Sequence, residues 1–71
     1  MSQYAAKRDY CERVCRFASK TGAELHEQRL PGRFFVFTFI ATDGGRHQGE
    51  AIGRREDALH SACKAYADAV L

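Results

Sequence analysis

Apolar residues recur at helical spacing over residues 4–20. Tyr10, Val14 and Phe17 fall at i, i+4 and i+7, with Cys11, Cys15 and Ala18 beside them, while Lys7, Arg8, Glu12, Arg13, Arg16 and Lys20 take the other faces. Gly22 then supplies a helix stop. Residues 23–30 predict a strand with Leu25 turned inward and Glu24, His26 and Gln28 toward solvent. Pro31-Gly32 marks a tight turn, since Pro presets φ and Gly tolerates positive φ. Residues 33–42 carry four Phe, Val36, Ile40 and two Thr, which fits a pleated, heavily buried strand better than a helix. Asp43-Gly44-Gly45 is a hairpin turn signal, and residues 46–53 predict a third strand. Gly49, Ala51 and Gly53 alternate there, so one strand face is almost bare and admits a helix at close range.

The last periodic segment is 55–70. Ala58, Ala62, Ala65 and Ala69 make a small-residue stripe beside a larger one of Leu59, Cys63, Tyr66 and Val70. Glu56 and Asp57 occupy the first turn, where a helix favours negative charge. The predicted order is α-β-β-β-α, an α+β fold: a three-stranded antiparallel meander with both helices packed on one face. At 71 residues the chain holds a single domain spanning 1–71. A chain of this size buries only about 60–65% of the surface its unfolded form exposes, which leaves little room for a catalytic cleft beside the core.

Composition narrows the function classes. The chain is 45% hydrophobic and 28% charged with a net charge of +2, which is globular and mildly basic. Its longest apolar run, Phe34 to Ala41, falls well short of the ~18–20 residues of a membrane span. The N-terminal Met1-Ser2-Gln3-Tyr4 lacks a basic-then-apolar leader, and the three cysteines are an odd number, so an intracellular, cytoplasmic location with reduced thiols is expected.

Order and residues together resemble the double-stranded RNA-binding domain over about residues 10–71. Ala18-Ser19-Lys20-Thr21-Gly22 resembles the end of that family's first helix, and Phe34 to Ile40 its apolar second strand. The segment from Gly49 to Cys63 follows the family's Gly-x-Gly-x-Gly-Ser-Lys-Lys-x-Ala-Lys-x-x-Ala-Ala pattern. The resemblance implies shape-directed binding of duplex RNA, with lysines at the start of the second helix straddling phosphates. Arg55 aligns with the first of these, whereas Glu56 and Leu59 replace the second and third. The family's strand 1–2 loop carries Gly-Pro-x-His; here only Pro31-Gly32 remains, without the histidine.

The expected nucleic-acid contacts are Arg54, Arg55 and Arg46 around the second helix's N-terminus, with Lys7, Arg8, Arg13 and Arg16 assisting from the first helix. Phe35, Phe37 and Phe39 alternate with Phe34, Val36, Thr38 and Ile40. One set must pack beneath the helices, and a one-residue slip exchanges the two. Phe35, Phe37, Phe39 and Ile52 are the expected interface for a protein partner or a second copy through the open sheet face, ahead of stacking on single-stranded bases. Cys11, Cys15, His60 and Cys63 suggest metal ligands by type, but they occupy core positions and read as packing residues. His26, His47 and His60 fall on three different elements, with His47 near Asp43 and Glu50 expected as an exposed loop residue. No cofactor is expected, and a binding module rather than an enzyme is the reading. Two functions compete: weak phosphate-mediated binding of double-stranded RNA, or a protein-binding adaptor or small phage-type inhibitor, anti-CRISPR-like, that blocks a nucleoprotein complex.

Overall fold

The computed structural model describes residues 3–71; Met1 and Ser2, part of the segment read for a leader, lie outside them. The order is α1 (Gln3–Thr21), β1 (Glu24–Leu30), β2 (Phe34–Ile40), β3 (Arg46–Ile52) and α2 (Arg55–Val70). The strands form one antiparallel sheet in the order β1-β2-β3. Its register sets Leu30 opposite Phe34 and Phe34 opposite Ile52 at one end, and Glu24, Ile40 and Arg46 abreast at the other. The whole measures 33 × 32 × 16 Å between Cα extremes, a flat body of one sheet layer and one helix layer.

Local chemistry explains the boundaries. α1 stops in a Schellman arrangement: Gly22 takes φ 84°, its N–H donates to the Ser19 carbonyl, and the Ala23 N–H donates to the Ala18 carbonyl at 2.9 Å. The Thr21 hydroxyl donates to the Ala18 carbonyl at 3.0 Å and lies 3.3 Å from the Tyr66 hydroxyl, so the stop is tied to α2. The β2–β3 loop is pinned by the Ala41 N–H to the Gly45 carbonyl and by the Gly45 N–H to Asp43 Oδ1, both at 2.8 Å.

The core lies between the sheet and α2, with α1 alongside. Val14, Ala18, Phe37, Phe39, Ala58, Ala62, Cys63 and Tyr66 are buried together. Tyr66 stacks on Phe39 at 4.8 Å between ring centroids and meets Phe17 at 6.4 Å and His47 edge-on at 5.6 Å. No polar or charged residue is buried among the described residues. The helices run parallel: Tyr10 meets His60 near one end of the pair, and Phe17 meets Tyr66 near the other.

Two expectations are corrected. Phe35, Phe37 and Phe39 lie on the helix side of the sheet, with Phe37 1% and Phe39 0% exposed, and Phe34, Val36, Thr38 and Ile40 line the open face. The reason is register. Phe37 pairs with Gly49 and Phe35 with Ala51, so these residues share the bare strand face that α2 covers. His47 is half-buried against Tyr66 rather than exposed in a loop. Along the alanine stripe, Ala58 and Ala62 are fully covered, whereas Ala69 near the C-terminal end of α2 is exposed.

Gly49 is where the layers come closest. A Cβ there would stand 2.5 Å from the Ser61 carbonyl carbon and 2.6 Å from the Ala62 Cα, both backbone atoms unable to move aside singly. Gly49→Ala is therefore expected to cost at least about 2 kcal/mol, the upper range for forcing a methyl into a packed core. The exposed Gln48→Ala is expected to stay within about 0.5 kcal/mol. Urea melts of the two variants check this; equal midpoints would remove the close contact as a determinant of the fold.

Candidate functional site: a basic end of the sheet

The Gly53 N–H donates to the Arg33 carbonyl at 2.8 Å, joining the β1–β2 turn to the start of α2. Arg33 itself holds φ 55°, in the left-handed region that few residues other than glycine adopt. Arg54 is the N-cap residue of α2 with extended backbone and no side-chain capping bond, so its guanidinium is not spent on the helix end. Arg33 and Arg54 are both exposed and have no ion pair among the described residues.

Arg55 is differently placed. Its Nε and Nη2 donate to Glu27 Oε2 and Oε1 at 2.9 and 3.0 Å, a two-point clasp from α2 to β1. Its guanidinium also lies over the Phe37 ring, 5.0 Å from the centroid. Arg29 donates from Nε to the same Glu27 Oε2 at 3.2 Å and lies 5.7 Å from the Phe35 centroid. The Arg55 hydrogen bonds, with help from Arg29, hold the Glu27 carboxyl below its usual range against the opposing effect of desolvation. The same carboxylate raises the Arg55 guanidinium.

A groove of about 350 Å³ runs between the N-terminal half of α1 and the start of α2. Lys7, Arg8 and Glu12 border it from α1 and Arg55, Glu56 and Asp57 from α2, over a floor that includes Cys11, Cys15 and Leu59. Arg8 is paired with Glu12 at 3.6 Å and Arg13 with Asp9 at 3.9 Å, both largely exposed helical i,i+4 pairs. Arg16 is exposed, two turns beyond Arg8 along α1.

The structure thus brings together Arg54, Arg55, Lys7 and Arg8 but not Arg46. Arg46 pairs with Ile40 at the far end of β3, and the strand between Arg46 and Ile52 spans roughly 20 Å. Its expected share in the anion site at the start of α2 is corrected on that ground. Arg33 takes its place, and the sequence carried a signal for it: it follows the Pro31-Gly32 turn that an antiparallel meander returns to the end of β3. Ile52 lies on the open face, 73% exposed, in a row with Leu30 and Phe34.

Behind the groove, the Cys63 thiol donates to the Cys11 carbonyl oxygen at 4.0 Å. The nearby Cys63 thiol lowers the Cys15 thiol against the effect of partial burial, whereas Cys63 is pushed up by Cys15 and by burial. Burial also raises Cys11. His60 turns instead to the Tyr10 ring, at 5.5 Å between centroids. No three His, Cys, Asp or Glu side chains are grouped as a metal site among the described residues, and none of the helices is long and apolar enough to cross a membrane. His26 stands on the open face, its Nε2 3.2 Å from Glu24 Oε2.

Comparison of the chain with protein-family models, with curated proteins and with solved structures returned no match.

The Glu27–Arg55 clasp gives stability a pH dependence of known sign. A carboxyl held low in the folded state stabilises the fold above its unfolded value, ~4.3, and loses that contribution as pH falls through the folded-state value. Glu27→Gln is expected to melt below the wild type at neutral pH, with the gap closing as the solution is acidified below the ordinary glutamate range. A gap that persists unchanged in acid would remove the ion pair as its source.

Proposed function

We propose that the chain is a non-catalytic binding module that engages double-stranded RNA through the phosphate backbone, by the shape of an A-form duplex rather than its sequence. The observation that carries this reading is the Gly53–Arg33 backbone bond. It sets the unpaired Arg33 and Arg54 at one end of the sheet, beside the groove bordered by Lys7 and Arg8. Cations from a turn and two helices at one end suit successive phosphates across a groove better than a compact ligand. The element order shared with the double-stranded RNA-binding domain supports the same reading.

The roles differ from those that the resemblance alone implies. Arg54 and Arg33 supply the available charge, and Arg55 fastens α2 to β1 through Glu27. With Glu56 and Asp57 next to them, a few contacts yield weak binding that falls steeply with salt, about one unit of log–log slope per phosphate.

A second reading has its own observation. The Leu30–Phe34–Ile52 row, with Ile52 73% exposed, is an apolar strip at the basic end of the open face. It favours a protein partner, as for an adaptor or an inhibitor of a nucleoprotein complex.

Fluorescence anisotropy with a duplex RNA of about 20 base pairs, longer than the ~16 such domains span, tests the first reading. Duplex DNA and single-stranded RNA serve as competitors at two salt concentrations. Duplex RNA is expected to bind preferentially. Arg54→Gln and Arg33→Gln are each expected to reduce the salt slope by about 1, with Arg46→Gln having less effect and Ile52→Asp none. Absence of binding at low salt, or loss of binding with Ile52→Asp alone, would overturn it and favour the protein-binding reading.

A further inference from the structure

α1 and α2 both pack on one side of the sheet, and the open side carries an ordered pattern of its own. Residues directly opposite one another in an antiparallel pair point to the same face, so rows of three cross it from β1 to β3. Glu24, Ile40 and Arg46 form the row at one end, and Leu30, Phe34 and Ile52 the row at the other. β2 lays an apolar column with one threonine down the middle, and the two end rows differ sharply. One carries an acid on β1 and a base on β3; the other is apolar throughout.

We propose that this face is the interface of a homodimer, in which a second copy of the chain packs sheet on sheet about a two-fold axis parallel to the strands. Identical sheets with aligned strands can stack face to face about an axis along the strands or across them. With the axis along the strands, β1 of one copy lies over β3 of its partner, and β2 over β2. Glu24 then faces the partner's Arg46, and Arg46 the partner's Glu24, so opposite charges meet twice. Leu30 and Ile52, 40% and 73% exposed in the single chain, cover one another in the same reciprocal way. In the rows between, Gln28 comes to the partner's Glu50 and His26 to the partner's Gln48.

An axis across the strands has the opposite result. β1 would lie over β1 running the other way, which sets Glu24 on the partner's Leu30 and Arg46 on the partner's Ile52. Each charge would lose water without gaining a partner. The face complements itself about one axis and not the other. Both charged groups are available for the contact. Arg46 is exposed and makes no ion pair among the described residues. Glu24 keeps its side chain 71% exposed while its Oε2 lies 3.2 Å from His26 Nε2.

Aligned sheets pack about 10 Å apart and cross at about 30°, a separation that a glutamate and an arginine bridge at the corners. Three seven-residue strands make a face of roughly 14 × 23 Å, small beside the ~800 Å² per partner of a standard interface. The dimer is therefore weak, with a dissociation constant on the order of 10–100 μM. It rests on the sheet face alone, and each copy keeps its own basic end. The axis brings both basic ends to the same end of the dimer, where their cations repel, so association is measured at about 0.15 M salt to screen them.

Sedimentation equilibrium of the wild type over about 5–500 μM, a range that brackets this affinity, is expected to show a monomer–dimer equilibrium without larger species. Glu24→Arg and Arg46→Glu should each weaken the dimer at least about tenfold, because like charges then meet twice. One variant presents two arginines on this row and the other two glutamates. An equimolar mixture of the two is therefore expected to recover dimerisation as a heterodimer. Circular-dichroism melts of each variant at the lowest concentration should match the wild type, since both positions are exposed in the single chain. A wild type that stays monomeric throughout would overturn the dimer and leave the apolar strip to a different protein. A dimer that either variant leaves intact, or a mixture no better associated than its components, would overturn the face and the axis assigned here.

Discussion

The approach of α2 to Gly49 is the constraint on which the rest depends. With no side chain at that position, the Ser61–Ala62 backbone rests on the strand itself, and Ala58 and Ala62 are small enough to let it. Seating the helix there covers Phe37 and Phe39 and carries Tyr66 over Phe39. α1 then finds its place against α2 through Phe17, Thr21 and the cysteines. Among the described residues the core buries no charged side chain to specify one arrangement over another, and the Tyr66 hydroxyl meets only the Thr21 hydroxyl at the end of α1. Steric fit at one glycine performs that task, since sliding α2 along β3 would set its backbone against a side chain.

Much of this was legible in the sequence. The five elements, the Gly22 stop and the bare face of β3 follow from periodicity and residue size. The buried face of β2 did not, because a strand with phenylalanine at both odd and even positions carries no alternation to read. The information lay one strand away: in an antiparallel pair the odd β2 residues share a face with Gly49 and Ala51, and that face takes the helix. Among the site residues, Arg54 and Arg55 stand together at the start of α2, as their adjacency requires, but with unequal availability. Nothing local to α2 signals that Glu27, 28 residues earlier, claims the Arg55 guanidinium. Arg46 failed for a related reason: closeness to residue 54 in sequence is undone by a fully extended strand.

The basic end combines two uses of the same residue type. Arg55 and Arg29 lie over phenylalanine rings and converge on one carboxylate, so their charge stabilises the fold. Arg33 and Arg54 face solvent and make no ion pair among the described residues. A count of arginines does not distinguish these uses; the partner of each guanidinium does. The exposed pairs along α1 illustrate the same point, since Arg8 and Arg13 are each matched by an acid one turn away.

β1 lies at one edge of the sheet, every residue in it exposed, with Leu25 still 42% open to solvent. Such an edge is a template for an additional strand. Here the face turned toward the helices carries Glu27 and Arg29, tied to Arg55, rather than a row of apolar residues. A strand from another molecule adding to this edge would have to lie beside that charged network and strip water from it. Inward-facing charges on edge strands are a recognised guard against open-ended sheet growth. The clasp that fastens β1 to α2 thereby also limits the ways in which copies of this small, flat molecule can stack into fibres.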